Sequence, residues 1–206
     1  MNQKADQTNT GLARNYNESS QHSFCVLPWL HRFVNLGGEV QLCCTAEEFD
    51  HSHIRQDNHQ PINIAAGLSD EQIGDTAHMR NIRLSMLKGD WPAACERCRL
   101  TEETGGCSRR QAENRHFEKY VPWILENTDE QGRAPVRILS RDYRLGNLCN
   151  LRCRMCHPRA SKLLMDEWNE VARPRLKIGP ELAAEYENMT WFHNQQLWDD
   201  FSDHCK

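Results

Sequence analysis

The chain has 206 residues, a formal net charge of -4 and 38% hydrophobic residues, enough for one large domain or two small ones around a modest core. Its Lys and Arg residues are scattered, which excludes the concentrated basic face of a nucleic-acid binder, and no run is long and apolar enough to span a bilayer. Ten cysteines behind a polar start without a secretory apolar core point to a cytoplasmic protein, whose reduced thiols serve metal ligation or catalysis instead of disulfides.

Residues 1–22 are rich in Asn, Gln, Ser and charge, with too little apolar surface to offset the entropy of ordering, and are expected to form a disordered tail. From His31 to Cys44 two short runs flank Leu36-Gly37-Gly38. Val34 precedes the turn and Val40 and Leu42 alternate after it, the pattern of a β-hairpin that delivers Cys43. Residues 45–68 read as loop, with His51, His53 and His59 in a polar stretch that favours solvation over metal binding. Ser69-Asp70-Glu71-Gln72 has the form of a capping box, and Ile73, Ala77, Ile82 and Met86 follow at roughly helical intervals until Gly89 and Pro92 end the run. One helix is therefore expected to lead into Cys95.

A further polar helix is expected to end near Tyr120. Pro135 to Leu148 carries Val136, Ile138, Tyr143, Leu145 and Leu148 and reads as a strand running into a cysteine-rich loop. From Ala160 onward the pattern is helix, Pro-broken linker and helix, with Trp168, Trp191 and Trp198 as core anchors.

The densest chemistry is Cys149-x3-Cys153-x2-Cys156. Spacings of four and three put three sulfurs on one side of a tight turn, so each thiolate can bind a different iron of a cubane cluster. The fourth iron stays open for a chelating ligand such as the amino and carboxylate groups of S-adenosylmethionine. A loop directly after a strand would lie at the carboxyl-terminal face of a parallel barrel. Three buried structural thiols are the plainer alternative, but Asn147, Asn150, Arg152 and Arg154 would make a poor dry face. A zinc ribbon would pair Cys95-x2-Cys98 with Cys153-x2-Cys156, a separation far beyond the usual ~15–20 residues.

Preceded by RDYRLGNLCNLRC, these three cysteines resemble the cluster loop and first barrel strand of the radical S-adenosylmethionine superfamily. The resemblance implies that an electron from the reduced 4Fe-4S cluster cleaves S-adenosylmethionine into methionine and a 5'-deoxyadenosyl radical, which abstracts a substrate hydrogen. It further implies a reductant such as flavodoxin or ferredoxin, and cofactor contacts at Met155 and Asn150. The position of Met155, just before the third cysteine, is commonly aromatic in the family and approaches the adenine.

A second set lies upstream. Cys25, Gly38-x4-Cys43 and the distant Cys95-x2-Cys98 pair resemble a twitch domain, in which four such cysteines hold one auxiliary 4Fe-4S cluster. CVLPWLH, LKGDWPAACERC and EETGGCSRR likewise resemble bacterial twitch-containing radical proteins, so the likeness runs from about Phe24 to Cys156. The twitch usually follows the barrel and here precedes it. Cys44, beside Cys43, is a competing ligand, and tetrahedral zinc remains an alternative for four thiols. Cys107 and Cys205 have no partner at ligand spacing, and His157 reads as a loop residue.

The fold implied is α/β, or α+β in the isolated chain. A twitch-like domain over 23–120 would be followed by the start of a partial radical (β/α) barrel over 134–206. Only fifty residues follow Cys156, where a partial barrel would need well over ~100 more, and no Gly-Gly-Glu segment follows the loop. The expectation is a truncated or split member with an exposed first strand, awaiting a partner chain that carries the rest of the barrel. A non-catalytic iron-sulfur electron carrier and a zinc-stabilised interaction module are the competing readings.

Overall fold

The structure is a computed structural model that describes residues 22–46, 52–156, 158–177, 189–195 and 197–199. The expected tail up to residue 21, and His51, His157 and Cys205, lie outside the described residues. The chain is mixed α/β and divides into two compact units. One comprises Met1–Phe33, Gln41–Ile62 and Leu68–Asp142; the other comprises Val34–Val40, Asn63–Gly67 and Tyr143–Lys206.

The first unit begins with a single helical turn, α1 (Leu27–Leu30), which carries Pro28 in its first turn and is wholly buried. Proline suits that position because the amide it lacks would have no intrahelical partner. The buried strand β1 (His31–Val34) follows. It is the central strand of a three-stranded sheet ordered β2-β1-β3, in which β2 is Val40–Gln41 and β3 is Ser140–Tyr143. Leu139 N–H donates to Leu30 O at 2.8 Å and Arg144 N–H to Val34 O at 3.0 Å, so β3 runs parallel to β1. The strand expected over Pro135 to Leu148 is thus shorter, four residues that match the four of β1. It is an end strand of the sheet, with one edge outside the ladder among the described residues.

The capping box forms as read: Ser69 and Gln72 exchange side-chain and backbone bonds. The single helix expected after it is two, α2 (Asp70–Gly74) and α3 (Ala77–Lys88). Thr76 makes the break, its hydroxyl donating to Ile73 O at 3.1 Å and accepting from Met79 N–H at 3.3 Å, so it closes one helix and caps the next. Gly89, at φ +90°, ends α3 in the left-handed conformation that glycine adopts without steric cost.

Asp70 opens α2 and takes two cations. Arg32 of β1 donates to it at 2.8 Å and Arg141 of β3 at 2.7 Å, joining the sheet to the helix. Arg83 of α3 is buried as well, donating to Pro28 O at 2.9 Å, Gly74 O at 2.8 Å and Gly132 O at 3.3 Å. Burial lowers its pKa to about 10. It stays charged at neutral pH and ties three chain segments together through their backbone carbonyls.

Helices α4 (Glu96–Glu103), α5 (Arg109–His116) and α6 (Val121–Asn127) complete this unit. The single polar helix expected before Tyr120 is therefore a pair, and α6 beyond it is an addition to the sequence reading. Trp29 Nε1 donates to Thr128 Oγ1 at 2.9 Å just past α6, anchoring it to the core.

The second unit contains the hairpin turn. Asn35 Oδ1 accepts from Gly37 and Glu39 N–H, both at 3.0 Å, and Gly38 sits at φ +86°. A Cβ there would lie 2.8 Å from Trp191 Cγ and 2.9 Å from Asn63 Oδ1, so glycine is needed for space as well as conformation. Trp191 is buried, and its Nε1 donates to Leu36 O at 3.0 Å. It is the core anchor expected; Trp168 and Trp198 are only half-buried. Helix α7 (Lys162–Glu167) runs through a π-helical stretch, Trp168–Ala172, into α8 (Arg173–Leu176). Pro174 does not interrupt the run as expected, because the widened turn removes the amide and ring conflicts of a mid-helix proline. Among the described residues, no helix is long and apolar enough to cross a membrane.

Candidate metal centre

Cys25, Cys43, Cys95 and Cys98 line one pocket within the first unit, with about 380 Å3 of empty space including its mouth. Leu27, Pro28, Leu42, Met86 and Ala94 supply its apolar wall. Cys25 lies just ahead of α1, where α5 clamps the backbone on both sides of it. Phe24 O accepts from Arg110 Nη1 at 2.8 Å and from Asn114 Nδ2 at 2.7 Å, while Asn114 Oδ1 takes Val26 N–H at 2.9 Å. Cys43 follows β2 and begins a tight turn, with Ala46 N–H donating to Cys43 O at 3.1 Å. Cys95 caps α4 and Cys98 lies in its first turn, so a spacing of three sets both sulfurs on one helix face.

Cys43, not Cys44, lines the pocket. Cys44 Sγ instead takes a bond from Arg109 Nη1, which separates the two neighbouring thiols that the spacing left in competition.

Burial dominates the electrostatics of the pocket. Burial pushes the Cys25 thiol well above its ordinary range, opposed by the Leu27 N–H, and the neighbouring Cys43 and Cys98 raise it further. Burial also raises Cys43 against the N–H groups of Ala46 and Thr45, and raises Cys95, to which Cys25, Cys43 and Cys98 add. A bound metal reverses this balance, since its positive charge holds thiols as thiolates. Four soft sulfur donors in an apolar wall suit an iron-sulfur cluster or zinc by type. Zinc would draw four sulfurs to ~2.3 Å from one point, whereas a cubane would hold them farther apart around its own body. Among the described residues, no three or more His, Cys, Asp or Glu side chains form a group that could hold a single metal ion.

Three arginines, Arg97, Arg109 and Arg110, also line the pocket, and the sequence reading did not single them out. Arg110 is buried and pairs with Glu102 through two nitrogens at 2.8 and 2.6 Å. Ser108 and Gln111 form a second capping box. That signature places Arg109 and Arg110 at the start of a helix just after CERC, and it was the available signal for them.

The second cysteine group belongs to the second unit and is arranged differently. Cys149 and Cys153 are exposed and Cys156 is half-buried. Leu151 N–H points at Cys149 Sγ at 3.5 Å and Cys156 N–H donates to Cys153 O at 3.0 Å, the latter closing a turn across the last two cysteines. Asn147 is buried and its carbonyl accepts from Lys162 N–H at 3.0 Å, pinning the loop's entry to the start of α7. Beyond that anchor the loop stands in solvent: Asn150 is exposed, Leu148 is 84% exposed and Met155 99%. An exposed three-thiolate loop fits a cluster with one open iron in donor type and access. Cys107 is exposed and lines no part of the pocket.

No known family model, curated protein or solved structure matches the chain.

Proposed function

We propose that this chain is an iron-sulfur protein of the radical S-adenosylmethionine type, with two 4Fe-4S clusters. Cys25, Cys43, Cys95 and Cys98 hold a closed auxiliary cluster in a twitch-like domain. Cys149, Cys153 and Cys156 hold an open one at the start of a partial (β/α) barrel, with Met155 and Asn150 toward the cofactor. When bound, the open cluster supplies the electron that cleaves S-adenosylmethionine to a 5'-deoxyadenosyl radical for hydrogen abstraction. The protein's own contribution is to bury and orient the auxiliary ligands and to leave the second loop accessible to cofactor and reductant. A flavodoxin- or ferredoxin-like reductant and a partner chain completing the barrel belong to the same reading.

The observation that carries the proposal is the convergence of Cys25, Cys43, Cys95 and Cys98 on one pocket, drawn from three separate stretches of chain and matching the twitch pattern. Anaerobic purification followed by iron, sulfide and zinc analysis tests it. About eight irons per chain are expected for two cubanes, and the spectrum of the reduced protein should change when S-adenosylmethionine is added. Predominant zinc would overturn the reading.

A second reading, a non-catalytic electron carrier, draws on the contrast between the buried pocket and the solvent-exposed loop. It predicts about four irons and a reduced spectrum indifferent to S-adenosylmethionine.

A further inference from the structure

We infer that Arg109 sets the reduction potential of the cluster held by Cys25, Cys43, Cys95 and Cys98, an inference that rests on the iron-sulfur reading above. The three guanidinium groups lining the pocket differ in their surroundings. The charge of Arg110 is matched by its two-pronged bond to Glu102. Arg97 is exposed, where water and salt screen it. Arg109 lies between these extremes. Its Nη1 bonds Cys44 Sγ, beside the ligand Cys43, and its buried Nε lies 3.3 Å from Glu113 without making a hydrogen bond. It thus carries a positive charge against the pocket wall on the Cys43 side, and one carboxylate behind it holds that charge in check.

Reduction adds one electron, supplied by a low-potential donor, and so one negative charge to the cluster. A cation fixed in a poorly screened wall stabilises the reduced form more than the oxidised one, and net charge and hydrogen bonding around the sulfurs are what set cluster potentials. Removing the positive charge of Arg109 should lower the potential. Removing the negative charge of Glu113 should raise it.

The experiment is an anaerobic dithionite titration of the full chain, followed by electron paramagnetic resonance. Cys149, Cys153 and Cys156 are all changed to Ala so that only the pocket cluster reports. Arg109→Gln should keep its iron and sulfide while the equilibrium constant for reduction falls about tenfold, about 59 mV for one electron. Arg109→Lys should retain most of the parent potential, and Glu113→Gln should move it upward. A parent cluster whose potential ignores both Arg109→Gln and Glu113→Gln, or moves the same way in both, overturns the inference alone. Absence of a cluster from the parent pocket overturns the iron-sulfur reading and this inference with it. If Arg109→Gln fails to fold, the sign of the Glu113→Gln shift decides.

Discussion

Cys25, Cys43 and the Cys95–Cys98 pair come from three distant stretches of chain and share one pocket, whereas Cys149, Cys153 and Cys156 are close in sequence and stand on a largely exposed loop. Loop closure accounts for the contrast. Drawing together cysteines separated by two or three residues costs little chain entropy, so a metal can organise such a loop itself. Ligands tens of residues apart need the fold to bring them together first. In the first unit that work is done by α5 clamping Phe24 and Val26, by the turn after β2, and by the start of α4. The two sites should therefore respond differently to damage.

The largest difference is expected from ligand removal. On the iron-sulfur proposal, Cys98→Ser should reduce iron from about eight to about four per chain and lower the melting temperature, because metal binding and folding are coupled where ligands sit in a buried pocket. Cys149→Ala should remove the other four irons and leave the melting temperature unchanged. Metal analysis and anaerobic calorimetry read both effects, and equal destabilisation by the two substitutions would erase the distinction.

The same contrast explains what could be read in advance. The hairpin at Leu36-Gly37-Gly38, the Ser69–Gln72 capping box and the stop at Gly89 are local signals, and each forms. The spacing of Cys25, Cys43, Cys95 and Cys98 was legible through its likeness to a known ligand pattern. The break at Thr76 was missed although the pattern carries it: Ile73 and Ala77 share one helical face, and Ile82 and Met86 share another about half a turn away. Only pairing with a four-residue partner limits β3 to Ser140–Tyr143, and no local residue marks those ends. Arg109 and Arg110 were passed over because their role depends on where α5 packs.

Next in size is the joint between sheet and α2 at Asp70. Burial alone would raise the pKa of Asp70, but Arg32 and Arg141 outweigh it and the net shift is downward. Asp70→Asn leaves two cations facing a neutral amide, and removing one partner of a buried pair costs about 3–5 kcal/mol. Urea unfolding checks this. A loss under 1 kcal/mol would mean that the first unit does not depend on this joint.

A somewhat smaller, pH-dependent effect centres on His31. Burial, with Arg109 and Arg32 nearby, lowers its pKa to about 4 against the bond with Ser140. Its Nε2 is buried without a hydrogen-bond partner. Between pH 6.5 and 4 the unfolded imidazole takes a proton that the folded one refuses, so stability is full above pH 6.5 and falls with acid by about 3 kcal/mol. The contribution of Asp70 has the same sign but is lost at lower pH, below its ordinary 3.8. Unfolding free energies across pH 4 to 7 should therefore slope in the parent and flatten in His31→Gln. An unchanged slope would assign the acid sensitivity elsewhere.

The smallest effect on stability belongs to the exposed loop. Met155 is 99% exposed, so Met155→Ala removes a side chain that packs on nothing and should change stability by less than about 0.5 kcal/mol. Its effect should appear only with cofactor present: the shift that S-adenosylmethionine produces in the reduced spectrum should need more cofactor in Met155→Ala and less in Met155→Tyr, whose ring can stack on adenine. A Met155→Ala chain that melts early would show the loop to be packed, and the two cysteine sites would then differ in sequence spacing alone. If stability is untouched and the cofactor response weakened, the loop acts as a ligand surface that metal and cofactor organise, while the pocket is organised by the protein.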